Sequence, residues 1–175
     1  TREADGNTGE TVVCYDAKSG KELWGQPLAV IPKYDGGGDS GTADNKGGDG
    51  PRSTPVINDG KVYCIDANLG VHCYNAETGK KVWDHDVMKE NGGVNIKWQN
   101  AASPLIDGDL LLMAGGGQGQ ALLALNKATG EVKWKGEDDK MTHATPVLAD
   151  ILGVHQCIFF TQTGLVAVNP QTGKV

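Results

Sequence analysis

The side chains of this 175-residue sequence best equipped for chemistry are Arg52 and His143. A guanidinium grips a carboxylate or phosphate through a two-pronged fork, and an imidazole binds or shuttles a proton near neutral pH. Both precede a short phrase ending in Ser/Thr-Pro, at 53–55 and 144–146, and Ala101 stands at the equivalent place before 102–104. The alternative for Arg52 and His143 is structural: they satisfy loop carbonyls or a carboxylate such as Asp49. Trp98, Gln99 and Asn100 stand just before Ala101. Trp98 offers a flat platform for a sugar or quinone ring, with Gln99 and Asn100 as hydrogen-bonding neighbours, or else it anchors a long loop.

Complete catalytic constellations are missing, so no catalytic residue is assigned. There is no Gly-x-Ser-x-Gly, and His72, His85, His143 and His155 form no His-Glu-x-x-His. Cys14, Cys64, Cys73 and Cys157 lack the spacing of a zinc site and are too sparse for a disulfide scaffold. Asp35, Asp39, Asp44 and Asp49 lie in a glycine-rich stretch, yet they lack the ligand order of a calcium loop. The 35–50 stretch reads as a surface insertion and no metal site is assigned. A net charge of -6 argues against nucleic acid or an anionic membrane as partner. No apolar run approaches the roughly 20 residues of a spanning helix.

What positions these residues is a repeat. The phrase at 12–24 returns at 71–83, at 122–134 and, shortened, at 165–175. Each copy reads as an apolar strand, a turn opened by Asp or Asn and closed by Gly, and a second strand reaching Trp. Asp16, Asn75, Asn126 and Asn169 open these turns, while Gly20, Gly79, Gly130 and Gly173 sit where a positive φ is needed. Trp24, Trp83 and Trp134 close three copies, and Trp98 falls outside that rule. A second unit recurs upstream at 53–65, 102–113 and, loosely, 144–161, with Asp59-Gly60 and Asp107-Gly108 as hairpin signals.

Four short strands per repeat follow from this. The strands at 61–65, 110–113, 122–125 and 157–160 are apolar with little alternation, so both faces of each sheet must be covered. The expected fold is all-β: a β-propeller of four-stranded antiparallel blades, with the tryptophans filling the gaps between them. The blades are an outer half-blade at 1–24, complete blades at 53–87 and 102–135, and an incomplete blade at 143–175. Cys64 and Cys73 face each other if their hairpin turns at 68–69, where a cross-strand disulfide and a pair of buried thiols are both open. The connections at 25–52, 86–101 and 135–143 gather on one face around the central channel, where binding residues are expected.

The Asp/Asn-Ala-x-Thr/Ser-Gly-x-x-x-Trp phrase resembles the repeat of pyrroloquinoline-quinone-like propellers, a family that includes quinoprotein alcohol dehydrogenases and the outer-membrane assembly lipoprotein BamB. The stretches at 48–55 and 102–109 resemble BamB-like proteins of the Planctomycetes type. The resemblance implies an eight-bladed ring, of which this chain is about half, in the periplasm or outside the cell. It also implies that the remaining blades, or another copy of the chain, close the ring. Dehydrogenases of the family carry an adjacent-cysteine disulfide against the quinone and some a haem-attaching Cys-x-x-Cys-His; neither occurs here. The reading is therefore a non-catalytic binding or scaffold propeller with a protein, peptide or glycan ligand. Its alternative is a fragment of a quinoprotein alcohol dehydrogenase, the one case in which pyrroloquinoline quinone and calcium are expected.

Overall fold

A computed structural model describes residues 2–4, 7–30, 52–96 and 99–175. Trp98, and the insertion with Asp35, Asp39, Asp44 and Asp49, lie outside the described residues.

Four antiparallel sheets follow one another along the chain. The first holds β1 (Arg2–Ala4), β2 (Asn7–Tyr15) and β3 (Glu22–Val30). The second holds β4 (Val56–Asn58), β5 (Lys61–Ile65), β6 (Gly70–Asn75) and β7 (Lys81–Asp86), followed by a short helix, α1 (Val87–Asn91). The third holds β8 (Leu105–Asp107), β9 (Leu110–Ala114), β10 (Leu122–Asn126) and β11 (Val132–Gly136). The fourth holds β12 (Val147–Ile151), β13 (Val154–Phe160) and β14 (Leu165–Val168). Each sheet is a simple up-and-down meander, the blade of a β-propeller. Strand pairing extends the first blade beyond the outer half expected at 1–24: it adds β1 and carries β3 on to Val30.

The continuous apolar strands are buried on both faces, as a stack of blades requires. Val62 and Cys64 face the first sheet with Val12 and Tyr74, while Tyr63, Ile65, Val71 and Cys73 join the core shared with the third sheet. Leu111, Leu112, Leu122, Leu123 and Leu125 are fully buried. Each such side chain contributes about 1.5–3 kcal/mol of transfer free energy.

The repeated turns form as their residues dictate. The Oδ1 atoms of Asp16, Asn75, Asn126 and Asn169 accept backbone N–H groups two and three residues on, at 2.7–3.2 Å. Gly20, Gly79, Gly130 and Gly173 close the turns with φ of 69°, 69°, 79° and 70°. Beyond each of the first three, the outer strand carries one extra residue before its tryptophan, a bulge at Cys14/Tyr15, Cys73/Tyr74 and Ala124/Leu125. Such a bulge re-aims the side chain that follows it. The indoles of Trp24, Trp83 and Trp134 lie over Gly79, Gly130 and Gly173 of the next sheet, where an added Cβ would come within 2.5–2.6 Å of the ring. Their Nε1–H groups donate to the carbonyls of Ala76, Lys127 and Pro170 at 3.0, 3.1 and 2.7 Å. The tryptophans therefore do fill the gaps between blades, and the turn glycines have a second duty as their seats.

Two local expectations are corrected by register. In the β5–β6 hairpin Cys64 pairs with His72 and Tyr63 with Cys73, so the two cysteines point to opposite faces of the sheet. Both are free thiols, and so are Cys14 and Cys157. The shift arises because the turn spans 66–70, closed by the Asp66 N–H donating to the Gly70 carbonyl at 2.9 Å, with Leu69 at a φ of 63°. At the β8–β9 hairpin the turn falls one residue later than the Asp107-Gly108 signal: Asp107 pairs with Leu110, and only Gly108 takes a positive φ.

Sheet-to-sheet joints at the Asx-turn end include one titratable link. His155 Nδ1 meets Asp150 Oδ1 at 3.0 Å, and its Nε2 reaches Asp107 Oδ1 of the third sheet at 3.2 Å. The Asp150 and Asp107 carboxylates raise the His155 pKa above its ordinary value. The stabilisation is thus fully present below the unfolded-state value, near 6.5, and is lost as pH rises through the higher folded-state value. Replacing His155 with Gln is expected to remove part of the fall in thermal midpoint between about pH 6 and pH 8, measured by circular dichroism.

Candidate functional site at the loop face

Antiparallel order puts the Asx-Gly turns at one end of the sheets and the β5–β6, β9–β10 and β13–β14 loops at the other, with the blade connectors. This second end is the loop face. Its β7–β8 connector begins in α1, capped by the Asp86 carboxylate accepting from the Lys89 N–H at 3.0 Å. It then runs against the β9–β10 loop. The Val94 N–H donates to the carbonyls of Gly115 and Gly116 at 3.1 Å, and the Gln120 amide donates to the Gly92 carbonyl. Gly116, with a φ of 63°, would put a Cβ 2.2 Å from the Val94 oxygen, so only glycine permits the contact. On the far side Asp139 ties three loops together: its backbone bridges Gly117, while its carboxylate accepts from the Lys140 N–H at 2.7 Å and from the Thr163 hydroxyl and N–H. The hydroxyls of Thr161 and Thr163 hold that carboxyl down at about 2. The described part of the β7–β8 connector and the loops around Asp139 are thus tied to one another by hydrogen bonds.

Gln99 and His143 come together here. The carbonyl of Gln99 accepts from His143 Nε2 at 3.0 Å, which sets the imidazole tautomer as Nε2–H. Gln99 holds a φ of 66°, and its side-chain oxygen accepts from Asn95 Nδ2 at 3.1 Å. Asn100 lies behind them, 3% exposed. Its side-chain Nδ2 donates to the Ala102 carbonyl at 3.0 Å and its Oδ1 accepts from the Ala102 N–H at 3.0 Å. Its own N–H donates to the Ala67 carbonyl at 2.9 Å. Asn100 therefore positions the connector, while Gln99 and exposed His143 present themselves on the surface. Arg52 is exposed two sheets away from His143, at the same place in its repeat.

The shared phrase has a structural meaning that the sequence reading missed. The Thr54 N–H donates to Ser103 Oγ at 2.8 Å, and the Ser103 N–H to Thr145 Oγ1 at 2.9 Å. A hydroxyl leading into the third sheet and one leading into the fourth thus each cap the backbone leading into the sheet before. The signal was available: Thr54, Ser103 and Thr145 each immediately precede proline.

A cleft between the first two sheets was also missed. Its volume is about 720 Å³, and its walls include Asp66, Asp84, Asp86, Glu90, His72 and His85, one cation, Lys89, paired with Asp86 at 2.8 Å, and Leu28 and Met88 as apolar patches. His72 Nε2 meets Asp66 Oδ2 at 2.9 Å, and His85 Nδ1 meets Glu90 Oε2 at 3.2 Å. Near the first pair, Glu10 is 1% exposed: one oxygen accepts from the Ala67 N–H at 2.9 Å and the other has no hydrogen-bond partner among the described residues. Burial raises the Glu10 carboxyl above its usual range. Sequence spacing held no clue, because Glu10 and Asp66 are brought together only by blade stacking.

The buried thiols are not poised as nucleophiles. Burial pushes the thiols of Cys64 and Cys157 up to about 12 and that of Cys73 to about 11, so they stay protonated at neutral pH. Among the described residues no three His, Cys, Asp or Glu side chains gather in a metal-holding group, and no helix is long and apolar enough to cross a membrane.

Comparison with known proteins agrees with the repeat. Among curated relatives, the outer membrane protein assembly factor BamB of Xanthomonas campestris pv. campestris is 32% identical over 108 residues, 61% of this chain and 26% of that protein. That of Bordetella pertussis is 32% identical over 92 residues, 53% of this chain and 21% of that protein. The matched stretches thus span about a quarter of the relatives' length. Among solved structures, a europium-containing methanol dehydrogenase superposes with a TM-score of 0.61 at 15% identity, over 96% of this chain and 38% of that one. BamB from Moraxella catarrhalis superposes with a TM-score of 0.53 at 16% identity, over 95% and 57%. These two likenesses establish the propeller fold, which both an enzyme and an assembly factor share. The profile of the family described as outer membrane protein assembly factor BamB matches residues 8–175, and the chain belongs to that family.

Proposed function

We propose that this chain forms part of a non-catalytic scaffold propeller that binds a protein segment through its loop face, in the periplasm or outside the cell, during outer membrane protein assembly. The observation that carries the reading is the acid-lined cleft between the first two sheets, beside a β7–β8 connector whose described residues are held by backbone hydrogen bonds. A rigid face loses little conformational entropy on binding. Carboxylates beside Leu28 and Met88 suit an extended segment that offers a basic side chain with apolar neighbours. Arg52, Gln99 and His143 form the channel-side part of the surface, supported by Asn100.

The test is binding of a fluorescently labelled, urea-unfolded outer membrane β-barrel protein after dilution into buffer. Saturable binding is expected, weakened about five- to tenfold by Asp84→Asn combined with Glu90→Gln, and weakened by added salt. The competing reading, a piece of a quinoprotein alcohol dehydrogenase, would prevail if the protein took up pyrroloquinoline quinone saturably with calcium and oxidised alcohol with a dye acceptor.

A further inference from the structure

Two features set the joint between the first and second sheets apart. Its core is thin: among the described residues Val12, Val62, Cys64 and Tyr74 are its buried apolar side chains, with Trp24, Leu28 and Ala76 partly buried against them. It also holds a buried carboxyl group. Glu10 leaves β2 and reaches the β5–β6 turn, where one oxygen accepts from the Ala67 N–H at 2.9 Å. Ala67 in turn packs against Ala29, which lines the cleft. The other Glu10 oxygen has no hydrogen-bond partner among the described residues, and the side chain is 1% exposed. A buried oxygen without a donor is costly, and more so when it carries charge.

Three titratable groups of the second sheet lie around Glu10. Asp66, in the turn, commits Oδ1 to the Asn68 and Gly70 N–H groups at 2.8 Å and Oδ2 to His72 Nε2 at 2.9 Å. His72, on β6, is thereby turned to Asp66. Cys64, on β5, stays neutral: burial pushes its thiol up to about 12, with Cys73 and Glu10 adding to the effect. We propose that Glu10 is a proton-operated latch: protonated, it seals the joint between the first two sheets, and ionised, it stands near Asp66 without a second hydrogen bond and lets that joint, with the cleft beside it, open. Burial is the largest influence on this carboxyl and raises its pKa; Asp66 adds to the rise, while the Ala67 N–H and His72 oppose it. The closed joint therefore holds a proton that an opened, solvated Glu10 gives up. Its stabilisation is fully present below the ordinary glutamate value and is lost as pH rises through the higher value of the closed joint. A proton can decide the outcome here because the next joint rests on a far larger core, with Leu111, Leu112, Leu122 and Leu123 fully buried. The latch acts on the joint itself and holds whatever the cleft binds.

The test is nuclear magnetic resonance of the native polypeptide, isotopically labelled at alanine and tryptophan nitrogen. The Ala67 amide proton, bonded to the Glu10 carboxyl, is expected to titrate with a midpoint above the ordinary glutamate value. The Trp24 indole N–H donates to Ala76 across the same joint. Its exchange with solvent, corrected for the intrinsic rate, is expected to be about fivefold slower on the acid side of that midpoint than on the alkaline side. The Trp83 indole, at the joint between the second and third sheets, is the internal control and is expected to change less than about twofold. Glu10→Gln keeps an oxygen for the Ala67 N–H, and is expected to abolish the titration and leave Trp24 protected at neutral pH. An Ala67 resonance that does not titrate above the ordinary value, a Trp24 response no larger than that of Trp83, or a pH dependence that survives in Glu10→Gln would each overturn the assignment. The first two are read on the unaltered protein and decide the matter even if the variant does not fold.

Discussion

Replacing Trp83 with Ala is expected to lower the unfolding free energy by about 3–5 kcal/mol, the range for truncating a large buried aromatic. Trp83 is 9% exposed and joins three groups at once. Its ring lies over Gly130, its Nε1–H holds the Lys127 carbonyl at 3.1 Å, and its centroid stands 6.2 Å from that of Tyr63. Truncation opens a cavity between the second and third sheets, in the middle of the main core, where neighbours on both sides are held by their own strands. Relaxation into the space is therefore limited, which places the cost toward the top of the range. Urea unfolding followed by far-ultraviolet circular dichroism checks this. With a slope near 2 kcal/mol/M, the midpoint falls by about 1.5–2.5 M. Trp24→Ala, at a half-buried joint, costs less.

The second large effect is expected at the other half of the same joint. Gly130→Ala forces an L-residue to a φ of 79° and pushes a methyl to 2.6 Å from the Trp83 ring. The backbone penalty alone is about 1–2 kcal/mol, and overpacking adds about 1–3 kcal/mol. Gly60→Ala separates the two contributions, because Gly60 has a φ of 69° and open space where its Cβ would lie. Its cost is expected to stop at the backbone penalty, about 1–2 kcal/mol. Equal losses in the two variants, measured by the same urea titration, would show that the seat beneath the indole carries no packing constraint. The Trp83→Ala and Gly130→Ala losses are expected to be strongly non-additive, since both break one contact.

Repeated residues made most of the fold legible in the sequence. Asp16, Asn75, Asn126 and Asn169 announced their turns because an Asx side chain and a glycine do the same local work wherever they stand. Unbroken apolar runs such as 110–113 announced sheets covered on both faces, and the tryptophans announced the joints. Register was less visible. The 64/73 pairing failed because a turn over 66–70 depends on the Asp66 carboxylate reaching the Asn68 and Gly70 N–H groups, a closure that hydrophobic pattern does not encode. The candidate site was only partly legible. Gln99 and His143 stand out by type and place, whereas Asn100, equally conspicuous in sequence, spends its amide on backbone groups. The cleft brings Leu28 and Ala29 of the first sheet against Asp66, His72 and His85 of the second, and no spacing rule connects residues that meet only through stacking.

The tryptophan joint carries a consequence for how such chains grow. Each joint is split between neighbours, yet its two halves, the seat and the indole, are encoded four residues apart within one repeat. Copying a repeat in the gene therefore copies a plug together with a socket. The duplicate fits its neighbours on both sides without any compensating change, and the lead-in hydroxyl before proline travels with it. The connectors take no part in the tryptophan joint itself, so they are free to diverge, as the one that carries α1 does. Lineages can lengthen the array and vary its binding face as separate events, which is how one architecture comes to serve both enzymes and assembly factors.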